Sequence, residues 1–188
     1  MRHAALVLLL LAVAGCSRFD NPIVSADGPA LDSALIGRWA AETQDGRAEL
    51  LIERAEEGGL VILTGLKDGK TQEERFHLVT SRVGKLSFLS AQSAQPGDSA
   101  DTDERPGSWY YFRYELPTPD RLVLYADDAD RWRSAVRDGL VEGTLDPKNN
   151  AFSVTASSGE LRQFLEGYGS VIFRDEAAAE FHRAAASD

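Results

Sequence analysis

The chain reads as mainly β with two or three short helices, an antiparallel meander that closes into a barrel. Three observations predict this. Short apolar segments recur along the sequence, each bounded by Gly, Asp or Pro turn residues. Asp45-Gly46 and Asp68-Gly69 are hairpin signals between neighbouring segments. Leu60-Val61-Ile62-Leu63 and Trp109-Tyr110-Tyr111-Phe112 are apolar without alternation, so both faces of those strands need cover, from a barrel interior on one side and a helix or partner on the other. Closing the meander removes its exposed edges.

Taken in order, the predicted strands run over 37–42, 48–54, 60–66, 74–82, 86–90, 109–116, 121–126, 140–145 and 151–156. Leu50 and Ile52 alternate with Glu49 and Glu53, and Phe76 and Leu78 with Arg75 and His77, as in strands with one wet face. A helix over 129–138 follows Asp127-Asp128, whose carboxylates suit its N-terminus, and Gly139 stops it. Trp132, Ala135 and Val136 share one face, so this helix plugs or caps the sheet. Ser157 with Glu160 makes a capping box for a second helix, whose stripe of Leu161, Phe164, Leu165 and Tyr168 packs on the sheet until Gly167 and Gly169 end it. Val171-Ile172-Phe173 fits a further edge strand, and residues 176–186 fit either a third helix or a closing strand that contains Phe181 and Arg183.

Ahead of the β segments, Arg2 and His3 precede the apolar run Ala4 to Val13, which stops at Ala14-Gly15-Cys16. A positive start, a short apolar core and small residues before the break mark a secretory signal over residues 1–15, since so short a run cannot cross ~30 Å of hydrocarbon. Val13-Ala14-Gly15-Cys16 resembles the lipobox of bacterial lipoproteins, which implies cleavage between Gly15 and Cys16 and lipidation of Cys16. That use also accounts for the single cysteine, otherwise an unpaired thiol in an oxidising compartment. The resemblance implies anchoring by acyl chains, with Ser17 in place of an inner-membrane Asp favouring the outer membrane, facing the periplasm. Residues 16–33, with Pro22, Gly28 and Pro29, read as the lipidated N-terminus and a flexible tether. Residues 34–188 form one β domain.

Without its leader the chain keeps 19 Lys and Arg against 30 Asp and Glu. So acidic a surface repels phosphate backbones, which excludes nucleic acid as a partner. Chemistry is scarce in the rest of the chain. His77 and His182 have no metal-ligand spacing, and no nucleophile elbow, phosphate-binding loop or dinucleotide fingerprint occurs. The acidic stretch 98–104 lacks the turn Gly of a calcium loop. The expectation is a non-enzymatic protein with no metal and no cofactor.

Gly37-Arg38-Trp39 at the start of the first barrel strand resembles the opening of lipocalins and related calycins. In those folds the Trp seals one barrel end and an Arg from a late strand packs across its ring, a place that Arg183 or Arg174 would take here. The resemblance implies a barrel that binds a small apolar molecule or acyl chain, lined by Leu60, Ile62, Phe88, Trp109 and Tyr111. The alternative is a solid barrel acting as an adaptor for another envelope protein. An apolar pocket of ~300 Å³ separates the two readings.

Overall fold

The computed structural model describes residues 17–43, 46–56, 58–67, 70–94 and 108–184. In chain order the elements are β1 (Ser17–Phe19), a 3-10 turn (Ser33–Leu35), β2 (Gly37–Thr43), β3 (Gly46–Arg54), β4 (Gly59–Lys67), β5 (Lys70–Val83), β6 (Leu86–Ser93), β7 (Trp109–Thr118), β8 (Arg121–Ala126), α1 (Ala129–Arg137), β9 (Gly143–Asp146), β10 (Ala151–Val154), α2 (Ser158–Tyr168) and β11 (Ala179–Arg183). Strands β2 to β8 form the antiparallel meander, and β11 pairs with both β8 and β2 to close an eight-stranded barrel. The fold is therefore mainly β, and its meander order is that of a lipocalin-like barrel.

Two expectations about strands change. The segments near 140–145 and 151–156 form β9 and β10, which leave the barrel and join β1 in a separate three-stranded sheet. The closing strand comes from the undecided C-terminal stretch, where Ala179 and Phe181 are buried and Glu180 and His182 point away, the two-residue period of a strand. Phe173 contributes a single bridge to Asp127 instead of an edge strand.

Strand direction defines two barrel ends. The strand ends Arg54, Gly59, Val83, Leu86, Thr118 and Arg121 lie at one end with the 3-10 turn; the strand ends Thr43, Gly46, Lys67, Lys70, Ser93 and Trp109 lie at the other, which we call the mouth. Inside, Leu35, Trp39, Ile52, Leu78, Leu122 and Phe181 are completely or almost completely buried. The inward phase of β3 carries Ala48 and Ile52, with Glu53 exposed on the other phase, as the alternation predicts.

A second apolar core forms on the outer face of β5 to β7, where Val83, Phe88 and Tyr111 meet Phe19, Trp132, Phe152, Leu161 and Phe173. This answers the unbroken apolar run of β7: Tyr110 and Phe112 face the barrel interior, while Trp109 and Tyr111 face the helices. The outer face of β4 is different, because Leu60 and Ile62 belong to neither core. They pair across to Glu53, His77, Leu51 and Arg75 and stay half-buried beside Leu51 and the three polar side chains.

Residues 17–33 are not a tether. Phe19 and Ile23 are 3 % and 0 % exposed, and Leu31 is buried as well. The Phe19 ring centroid lies 4.2 Å from that of Tyr111 and 5.1 Å from that of Trp132. The Ile23 amide donates to Ser90 Oγ and Ser158 Oγ donates to the Pro22 carbonyl, at 3.0 and 2.7 Å. Proline and glycine content suggested a linker, but the large apolar residues spaced between them bury enough surface to fix the segment.

Both helices start as predicted. Asp128 caps α1 by accepting from the amides of Asp130 and Arg131, and Gly139 ends it at φ +70°. Ser157 and Glu160 form the reciprocal capping box of α2. Trp132 lies on the outside of the barrel against Phe19, Tyr111 and Phe164, so α1 covers a wall and does not plug an end.

Candidate functional site: a sealed end and an apolar mouth

Gly37, Trp39 and Arg183 meet at the sealed end. Trp39 is fully buried, and its Nε1 donates to the Leu35 carbonyl at 2.7 Å. Arg183 pairs with Trp39 across β11 and β2, and its guanidinium carbon sits 4.2 Å from the Trp39 ring, within cation–π range. The same guanidinium donates to the carbonyls of Ala34, Ile36 and Pro119 at 2.7, 2.9 and 3.1 Å. Gly37 has φ +127°, and a Cβ there would lie 2.8 Å from Arg183 Nη1; both backbone and space require glycine. Arg174 is exposed and its amide bonds the Ala126 carbonyl at the opposite end, so Arg183 is the closing arginine.

Asp32 reinforces this end. It accepts from the Ala34 amide at the start of the 3-10 turn and from the Tyr114 hydroxyl at 2.9 Å. Burial and then the Asp32 carboxylate hold the Tyr114 hydroxyl protonated, well above the ordinary tyrosine range.

Between the sealed end and the mouth the barrel interior holds a chamber of about 80 Å³, reaching from the paired Leu122 and Phe181 up to Ala91 and Tyr110. Its walls come from seven strands and include Ile52, Val61, Leu78, Leu89, Phe112 and Phe181. Leu50, Leu63, Ala91 and Tyr110 also line it and are only half-buried, forming an apolar rim. None of the five residues expected to line a ligand does so. Leu60 and Ile62 face outward from β4, and Phe88, Trp109 and Tyr111 pack into or against the second core. The error is one of phase: in each strand the adjacent residue, Val61 or Leu63, Leu89, Tyr110 or Phe112, faces inward. The signal was in the sequence, since Leu50 and Ile52 fix the inward phase of β3 and cross-strand partners share a face.

The chamber is about a quarter of the ~300 Å³ at which compact ligands are enclosed. Larger depressions lie outside the barrel, about 700 and 560 Å³, between α1 and α2. Leu140, Phe164 and Tyr168 line both, and Val171 borders the second. Leu140, Tyr168 and Val171 are 47 %, 41 % and 53 % exposed.

Where β8 leaves the barrel for α1, desolvation pushes the half-buried Asp127 carboxyl up to about 7, against the opposing pull of Arg174. Among the described residues no three His, Cys, Asp or Glu side chains converge as metal ligands, and no helix is long and apolar enough to cross a membrane. Gly15, Cys16 and the acidic stretch 98–104 lie outside the described residues. Compared with protein-family models, curated proteins and solved structures, the chain matches none.

Proposed function

We propose that this protein is a non-enzymatic lipoprotein of the bacterial envelope, anchored through Cys16 at the outer membrane and facing the periplasm, whose barrel takes the end of one slender apolar chain at its mouth. The observation that supports this reading most directly is the chamber lined by apolar side chains and Tyr110, with Leu50, Leu63 and Ala91 half-exposed at its rim. A volume of about 80 Å³ does not enclose a compact small molecule. It suits the last few methylenes of an acyl chain, each worth roughly 0.8 kcal/mol on burial. Native mass spectrometry of protein extracted from envelopes tests this: a copurifying lipid lost on Leu63→Asn supports it, and ligand-free protein in every preparation refutes it.

The second reading, an adaptor for another envelope protein, draws on the depressions between α1 and α2. Three large apolar residues exposed around one site are what a protein-binding surface offers. A stoichiometric protein in the same spectra, lost on Tyr168→Ser with Val171→Ser, would favour the adaptor.

A further inference from the structure

The first described residues after Cys16 lie across the outer wall of β5, β6 and β7. Ala30 bridges Thr80 on β5, the Arg82 amide donates to Ser25 Oγ at 3.4 Å, the Ile23 amide bonds Ser90 on β6, and the Asn21 carbonyl accepts from the Tyr111 hydroxyl on β7, the Thr80, Ser90 and Tyr111 contacts falling within one register row of each other. The Phe19 amide then bonds Ser108 Oγ at 3.3 Å, immediately before β7 begins at the mouth. Ser17 to Phe19 is fixed sideways by its parallel pairing with Phe152 to Val154, and the Asp20 amide donates to the Val154 carbonyl at 3.1 Å. The chain thus enters the body at the mouth end and is clamped from its first strand onward.

We propose that this clamp turns the barrel mouth toward the bilayer and holds it there, so that the chain entering the mouth is the acyl chain of a membrane lipid and not a freely dissolved molecule. The inference rests on the lipoprotein reading of Cys16. Only Ser17 and Arg18 separate Cys16 from the wedged Phe19, a reach of ~10 Å even when fully extended, whereas a flexible linker of the expected length would let the body turn freely. Leu145, exposed, continues the cross-strand row of Ser17 and Phe152, so an apolar side chain stands in line with the anchor. The acidic body is repelled by anionic head groups over a Debye length of ~8 to 10 Å. That repulsion acts at the same distance as the clamp's reach, so the mouth stands at the head groups without inserting.

Full-length acylated protein in mixed phosphatidylethanolamine and phosphatidylglycerol vesicles, whose surface is anionic, with an acceptor dye on their head groups, tests the orientation. Donor dyes go on Gln72→Cys, at the mouth end of β5, or on Lys85→Cys, at the sealed end; both sites are exposed, and acylation removes Cys16 as a competing thiol. Energy transfer should be strong from position 72 and weak from 85. A twenty-residue Gly-Ser insertion between Cys16 and Ser17 should equalise the two and cut photo-crosslinking of a diazirine-tailed vesicle lipid to the 109–113 peptide about threefold, as effective concentration falls. Equal transfer from both positions in the membrane-bound original protein overturns the orientation. Crosslinking that the insertion leaves unchanged overturns the claim about the chain's source. Protein absent from the membrane fraction refutes the lipoprotein reading itself, a separate result.

Discussion

The two ends of the barrel are built on opposite terms. At the sealed end, Arg183 donates to three backbone carbonyls and covers Trp39, whose own indole N–H is satisfied by Leu35. At the mouth, half-exposed apolar side chains surround a small void. A buried polar group left without a partner is expensive, so the satisfied Trp39 indole under the Arg183 clamp holds that end in place. An apolar rim in contact with water gains by being covered. The comparison separates residues that hold the barrel shut from residues that something else can occupy.

Removing the lid should have the largest effect. Trp39→Ala leaves a cavity in the barrel floor and strands Arg183 beside it, with an expected loss of ~3–5 kcal/mol, read as a drop in the urea midpoint. A loss below ~1 kcal/mol would mean that the sealed end carries no special share of the stability.

Phe19→Ala should cost nearly as much, ~3 kcal/mol, although the sequence places Phe19 in a linker. Its ring touches Tyr111, Trp132 and Phe152. The same measurement on a truncation beginning at residue 34 should show a larger loss, because Ile23 and Leu31 go with it. Unchanged stability in both would restore the tether.

Asp127 joins the mouth end to the second core, and its effect depends on pH. Its folded-state pKa of about 7 lies above the ordinary carboxylate value, so the folded chain keeps a proton that the unfolded chain has released. Stability therefore falls as pH rises from about 4 to about 7 and is level above that. Asp127→Asn should remove this slope, raising stability at pH 8 by on the order of 2 kcal/mol after discounting for partial exposure and leaving pH 4 unchanged. Thermal melts at the two pH values check the sign.

What the sequence made legible follows from how local each signal is. The Asp-Gly turns, both helix caps and the Gly37-Arg38-Trp39 lid depend on neighbours within a few positions, and the structure holds the two caps and the lid as read. The pairing of Trp39 with Arg183 spans most of the chain and needed the family resemblance to suggest it. Two things were out of reach of local pattern. Whether β9 and β10 join the meander depends on which element covers β6 and β7, and there Trp132 and Phe19 pack against Phe88 and Tyr111. Which phase of an unbroken apolar strand faces inward is invisible within that strand, and the expected lining of Phe88 and Tyr111 failed for that reason.

The mildest substitution discriminates best between the two ends. Leu63→Asn changes a half-buried rim residue whose cross-strand neighbours are Leu50 and Glu74, so its new amide still reaches water and the folded state loses less than ~1 kcal/mol. An apolar chain lying against position 63 loses more, because the amide must shed its water to accept it. A cost of ~1.4 kcal/mol there is a tenfold weaker complex, measurable with an environment-sensitive acyl probe. If stability and probe affinity fall together, as they should for a Trp39 variant, the rim is simply more core. If affinity falls alone, the mouth is a surface kept apolar for something other than the fold.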